Sequence, residues 1–163
     1  NVMTYAGGLW QRVFHEEANK HPTLEAQHMY ADVAAMMMVR EPRQFEVIVT
    51  NNMFGDILTD LGAALVGGLG MAASGNIHPG KTSMFEPVHG SAPGIAGKNV
   101  ANPIGAIATA SMMLAHLGFA QEAAKIDAAI LEAVRQKKTT FDVGGTLGTK
   151  ESAAWIAKRV ARG

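Results

Sequence analysis

Between residues 5 and 19 the apolar side chains Leu9, Trp10, Val13 and Phe14 recur at intervals of three and four beside Gln11, Arg12, Glu16 and Glu17. That spacing predicts an amphipathic helix, closed before His21-Pro22. The run EAQHMYAD (25–32) reads as a short strand leading into a helix, DVAAMMMVR. The helix must end near Pro42, because proline excludes the helical conformation from the residue before it. FEVIVT (45–50) is apolar almost throughout and rich in β-branched residues, which predicts a strand buried on both faces of a largely parallel sheet. The next stretch, 51–66, predicts a helix ended by Gly67 and Gly68. Residues 67–102, rich in glycine and proline, read as one long loop around the short apolar run SMFEPV, and loops of that length in compact domains usually carry function. Asn102-Pro103 is a cap followed by a proline at a first helical position, opening the helix IGAIATASMMLAHL. A second amphipathic helix spans 120–137, with Ile126, Ala129, Ile130 and Val134 as its inner stripe. TTFDVGGTLGT is a further turn-rich connection, after which Thr149 is placed to cap a last helix, KESAAWIAKRVAR. Alternation of helical and strand patterns predicts an α/β fold, a sheet with flanking helices.

Composition narrows the function classes. The chain has 163 residues, 48% of them hydrophobic, enough for an ordinary core. Lys plus Arg equals Asp plus Glu at 14 each, so no net field recruits nucleic acid or an anionic membrane. Without cysteine there is no disulfide framework, thiolate metal site or cysteine nucleophile. No window approaches the roughly 18 apolar residues of a membrane span, and no export signal is visible. These features lead to the expectation of a soluble, cytoplasmic protein. The chain opens at Asn1 and runs straight into a helical pattern, which reads as part of something longer.

The stretch NNMFGDILTD sets Asp56 and Asp60 four apart on a helix that is otherwise apolar, through Ile57, Leu58, Leu61 and Leu65. Residues i and i+4 share a helix face, roughly 6 Å apart at Cβ. Two carboxylates held there repel unless a cation lies between them. Oxygen ligands with no cysteine or paired histidine suit Mg²⁺ or Mn²⁺ rather than zinc. The competing reading is that Asp56 caps the helix start, where the dipole favours negative charge, and Asp60 faces water.

Of the glycine-rich stretches, GLGMAA (68–73) imitates a dinucleotide-binding turn but follows a helix instead of a strand, so it is read as a helix terminus and loop. FEPVHGSAPGIAGKNVANP (85–103) joins a carboxylate, an imidazole, small residues and a helix start in one loop. Small residues let backbone N–H groups approach a ligand, and a helix start favours anions. A nucleotide fits that description; so does a purely structural Ω-loop.

Together NNMFGDILTD, SMFEPVHGSAP, IAGK and ANPIGAI resemble the isopropylmalate dehydrogenase group of metal-dependent decarboxylating β-hydroxyacid dehydrogenases, which includes isocitrate, homoisocitrate and tartrate or D-malate dehydrogenases. The resemblance runs over essentially the whole chain and implies the C-terminal portion of a two-domain, non-Rossmann fold. Residues 1–66 would belong to the substrate, metal and dimer domain and 67–163 to the cofactor domain. It implies that Asp56 and Asp60 ligate Mg²⁺ or Mn²⁺, and that Asp32 is a third acidic residue which a neighbouring subunit brings to the same catalytic site, so a homodimer is expected. The implied cofactor is NAD. Glu86 would approach the nicotinamide ribose and His89 with Asn102 the adenosine, in a loop that includes Gly90, Ser91 and Ala92, with Asp142 more peripheral. The implied reaction is oxidation of a 2-hydroxy acid followed by loss of its β-carboxylate, with 3-isopropylmalate, an intermediate of leucine biosynthesis, as the favoured substrate. Met36 to Met38 and Leu58, Leu61 and Leu65 are then interface candidates, or ordinary core.

Two departures from the family pattern stand out. The substrate-recognition arginines, a catalytic tyrosine and a lysine that normally lies two positions before the match to Asn1 have no counterpart in these 163 residues, so the chain by itself is expected to be inactive. Gly94-Ile95 replaces both the aspartate of NAD users and the lysine-tyrosine pair of NADP users. NAD is favoured, because neither residue could neutralise a 2′-phosphate. A non-catalytic partner subunit of the same family is the rival reading. A Mg²⁺-dependent hydrolase is disfavoured, because no nucleophile stands near the aspartates.

Overall fold

A computed structural model describes residues 3–162, and its helices lie close to the periodic stretches. Helix α1 covers Thr4–Ala18, α2 Ala31–Arg40 and α3 Asn52–Leu65. After a short hairpin of β1 (Ala73–Asn76) and β2 (Met84–Pro87) come α4 (Ile104–His116), α5 (Ala120–Arg135) and α6 (Thr149–Ala161). The result is α/β, helix-rich with a small sheet. The chain divides into two compact units, Asn1–Thr59 and Asp60–Gly163.

In the first unit the helices stand where periodicity predicts them, and the strands do not form. Residues 25–30 and 45–50 are extended or irregular and belong to no ladder. A strand exists through hydrogen bonds to a neighbour, and among the described residues none pairs with either segment. Val47 is 90% exposed and Val49 61%, so the apolar run that predicts double-sided burial has neither face covered. Tyr5, Leu9, Trp10 and Val13 of α1 are likewise exposed. Of the methionine run, Met36 is exposed and Met37 and Met38 are half-buried.

Helix α3 ends as its glycines predict: Gly67 and Gly68 both take positive φ, 120° and 95°, and Gly68 N–H donates to the Ala63 carbonyl at 2.7 Å. This six-to-one closure satisfies a terminal carbonyl in a conformation that costs glycine least. The stretch read as one continuous loop contains an element the sequence analysis misses, the antiparallel pair β1–β2, with Ser74 opposite Glu86 and Gly75 opposite Phe85. A Cβ on Gly75 would come within 2.9 Å of the Phe85 ring, so glycine here makes room for the aromatic on the partner strand.

The core of the second unit lies among α4, α5 and α6. Ile104, Ala129, Ala133 and Ile156 are essentially inaccessible, packed by Met71, Ile107, Ile130, Val134, Trp155 and Val160. Burying an isoleucine stabilises by about 2–3 kcal/mol, whereas a partly exposed pair such as Arg159–Glu132 contributes about 0–1 kcal/mol, so apolar packing dominates. The deepest positions of α5 are alanines, Ala129 on the predicted stripe and Ala123 and Ala133 beside it; their small side chains let α4 and α6 approach closely.

Thr149 does not cap α6. Its hydroxyl donates to the Ala101 carbonyl at 2.5 Å, and the helix start is capped from a distant loop by Asn99, whose Oδ1 accepts from Lys150 N–H at 2.9 Å. The Thr139 hydroxyl, fully buried in the connection between α5 and α6, has no partner among the described residues. An orphaned buried hydroxyl costs about 1–3 kcal/mol. Thr139→Val is therefore expected to raise stability by about 1 kcal/mol, read as an upward shift of the urea midpoint at constant slope; a drop of similar size would show that the hydroxyl has a partner in solution.

Candidate functional site

The predicted residues fall into two groups, on the acidic face of α3 and in the loop between β2 and α4. On α3 the helix start is capped by Asn51, whose Oδ1 accepts from Phe54 N–H at 3.0 Å. No acidic residue lies in the first turn, so the reading of Asp56 as a cap is overturned. Asp56 and Asp60 stand one turn apart, both exposed. The apolar surroundings expected from sequence do not enclose them: Leu58 is buried, but Ile57 and Leu65 are largely accessible. Asp56 Oδ2 accepts from Asn52 Nδ2 at 3.1 Å, and Oδ1 has no side-chain donor among the described residues. Asp32, at the start of α2, is exposed and accepts from its neighbour Val33 N–H.

Among the described residues no three His, Asp or Glu side chains converge on a point that could hold a metal. As a donor set, two exposed carboxylates fit Mg²⁺ or Mn²⁺, ions that commonly take one or two carboxylates and complete the shell with water and substrate oxygens.

Strand β2 presents Glu86 exposed. His89 Nδ1 lies 3.0 Å from the Gly90 carbonyl; a carbonyl only accepts, so the ring donates to it from Nδ1. Gly90, Ser91 and Ala92 are exposed, and Ala92 takes a left-handed φ of 43°. A short 3₁₀ turn at Pro93–Ile95 follows. A side chain at Gly94 would meet nothing.

Asn102 ends the loop at the start of α4. The N-cap of α4 is Pro103, one position later than predicted; Asn102 Oδ1 still accepts from Ile104 N–H at 2.9 Å, while Nδ2 donates to Asp142 Oδ2 at 2.9 Å and approaches the Met71 sulfur at 3.6 Å. The other Asp142 oxygen accepts from the Thr140 hydroxyl at 2.5 Å. Asn102 and Asp142, forty residues apart in sequence, are therefore joined and mutually oriented. The backbone at Gly70 passes so close that a Cβ would lie 2.8 Å from Asn102 Cβ and 3.2 Å from Asp142 Oδ2.

Thr140, Met71 and Gly70 are the members of this cluster that sequence reasoning misses. The available signal was Gly70 in GLGMAA: the pattern is not a phosphate turn, yet its central glycine permits a close approach to the loop's anchor. The middle of the loop, Gly90–Ala101, is exposed throughout and makes turn bonds within itself, among them Ile95 N–H to Ala92 O and Lys98 N–H to Ile95 O. No helix of the described residues is long and apolar enough to cross a membrane.

Residues 1–156 match the family model described as isocitrate/isopropylmalate dehydrogenase. The 3-isopropylmalate dehydrogenase of Thermobifida fusca is 51% identical over 99% of this chain and 45% of its own length. That of Methanothermobacter thermautotrophicus is 48% identical over 98% of this chain and 48% of its own. The crystal structure of isocitrate dehydrogenase from Methylococcus capsulatus superposes with a TM-score of 0.92 at 40% identity, covering 98% of this chain and 48% of that one. A β-decarboxylating dehydrogenase from Thermococcus kodakarensis does so with a TM-score of 0.81 at 36% identity, over 99% and 48%. The chain therefore spans about half the length of the relatives it matches.

Proposed function

We propose a function from the premise that this chain belongs to the isocitrate/isopropylmalate dehydrogenase family: it is part of an NAD- and Mg²⁺- or Mn²⁺-dependent enzyme that oxidatively decarboxylates a 2-hydroxy acid bearing a β-carboxylate. The substrate we assign is 3-isopropylmalate, because relatives carrying that name match nearly all of the chain at about half identity. The observation that carries the reading is the Asn102–Asp142–Thr140 cluster: it fixes the end of a small-residue loop at the start of α4, where a dinucleotide's anionic groups are favoured. The assigned working form is a cytoplasmic homodimer, with 1–66 serving substrate, metal and subunit contact and 67–163 serving the cofactor. Turnover is assigned to the protein in which these residues work with the family's remaining half, not to the 163 residues alone.

Within that frame each residue has a physical task. Asp56 and Asp60 lend two anionic oxygens from one protomer, and Asp32 of a second copy lends a third. A bound divalent cation would supply Lewis-acid polarisation of the substrate's C2 oxygen, easing both oxidation and decarboxylation. Bound nicotinamide would accept the C2 hydride. Glu86 offers an acceptor to a ribose hydroxyl. The exposed Gly90, Ser91 and Ala92 let the backbone approach the cofactor closely. Asn102, with its amide oriented by Asp142, keeps that approach fixed. Gly94 and Ile95 offer no cation, which favours NAD over a 2′-phosphorylated cofactor.

The test is direct. The full-length protein carrying this chain, given 3-isopropylmalate, NAD⁺ and MnCl₂, is expected to release one CO₂ per NADH, with little turnover on NADP⁺. Faster turnover of isocitrate or D-malate would keep the class and replace the substrate. Absence of NADH with every such acid would overturn the reading.

A further inference from the structure

The end of the loop is fastened to α6 by contacts that no cofactor contact requires. Asn99, with φ of 57°, lies fifty-odd residues from α6 in sequence, yet supplies its cap. Its backbone carbonyl accepts from Thr149 N–H at 3.0 Å, its Oδ1 from Lys150 N–H at 2.9 Å, and its Nδ2 donates to Glu151 Oε2 at 2.9 Å. The Thr149 hydroxyl adds a bond to the Ala101 carbonyl. Gly148 is what admits Asn99: a Cβ there would lie 2.1 Å from Asn99 Nδ2. Helix α6 is itself anchored by the buried Ser152 and Ile156, so the loop's end is fixed to a rigid element. At its other end Val88 N–H meets the Ala72 carbonyl at 3.4 Å. Between these points the loop is exposed and held by short-range turns, and an unanchored loop must be ordered at the expense of ligand affinity.

We propose that Asn99 and Glu151 form a clamp that holds the loop 89–98 in its binding conformation, acting as positioning residues for the dinucleotide through the loop and not by touching it. The clamp rests on the NAD reading above, and its test separates the two. In the full-length protein, Asn99→Gly keeps the left-handed backbone and removes both side-chain bonds. It is expected to raise the NAD⁺ dissociation constant about tenfold, leaving kcat at saturating NAD⁺ and the KM for the hydroxy acid unchanged. Glu151→Ala moves the same quantity by a smaller factor. Glu151→Gln, which retains an acceptor for Asn99 Nδ2, stays near wild type. Gly148→Ala expels Asn99 from the other side and is expected to reproduce Asn99→Gly, with no further loss in the double variant because both break one interaction.

A general loss of stability would lower the active fraction and leave NAD⁺ affinity alone. NAD⁺ affinity unchanged in Asn99→Gly, against a wild type that binds, overturns the clamp. A wild type that binds no NAD⁺ overturns the parent reading instead; hydrogen exchange across 89–98 then decides the clamp, which fails if Asn99→Gly leaves exchange unaltered.

Discussion

Asp56→Asn is expected to reduce Mn²⁺-dependent NADH formation by about 100-fold or more while leaving the fold intact. Removing even an outer-shell partner of a metal site commonly costs 10–100-fold in affinity or activity, about 100-fold being the upper end, and Asp56 is assigned as a direct ligand. The substitution keeps shape and one acceptor oxygen, so Asn52 can still donate to it as it now does to Oδ2. What it removes is the negative charge that a hard cation requires. Asp56 is exposed and outside the helix's capping turn, so its stability effect is expected to stay within about 0.5 kcal/mol. The measurement is NADH formation titrated with MnCl₂, beside a thermal melt of the same preparation. Part of the activity should return at high Mn²⁺, because the remaining ligands still bind weakly. Turnover within twofold of wild type at limiting Mn²⁺ would remove Asp56 from the metal site.

Gly145→Ala is expected to destabilise by about 3 kcal/mol or more, a larger effect than its neighbour Gly144 can produce. A Cβ on Gly145 would lie 1.9 Å from the Thr139 carbonyl oxygen. Neither side can yield cheaply, because that oxygen accepts from Leu147 N–H at 3.0 Å and Gly145 N–H donates to the Thr140 carbonyl at 3.0 Å. Gly144→Ala meets open space and is strained only by its φ of 78°, a left-handed conformation costing about 1–2 kcal/mol. The pair separates overlap from backbone strain in one turn. Because the same turn aims Asp142 at Asn102, Gly145→Ala should also weaken NAD⁺ binding in whatever fraction remains folded. Urea denaturation of both variants is the check; a Gly145→Ala midpoint no lower than that of Gly144→Ala would mean that the turn rearranges freely.

The glycines show how unevenly the molecule can be read from its letters. Gly67 and Gly68 announce a helix end, because stopping a helix is a matter of one residue's own conformation. Gly70 and Gly148 carry no such local signal; each is small because a chain segment far away in sequence comes to lie against it, whereas Gly145 is crowded by Thr139 within its own turn. The same division runs through the side chains. Asn102 reads as a cap because its partner is two residues on, whereas its bond to Asp142 and the Asn99–Glu151 bond cross forty and fifty-two positions.

By itself the sequence determined the helical segments, the glycine stop after α3, the α/β class, and the motifs carrying Asp56, Asp60, Glu86, His89 and Asn102. Periodicity, capping and motif spacing depend on neighbours within a turn or two, and these are present in the string of residues. Only the tertiary structure decided that 45–50 forms no ladder, that a hairpin interrupts the glycine-rich stretch, that Asn99 and not Thr149 caps α6, and that Thr140 and Asp142 orient Asn102. Those outcomes depend on which backbone donors and acceptors meet after the chain closes on itself, and apolar character can announce burial without naming the partner that supplies it.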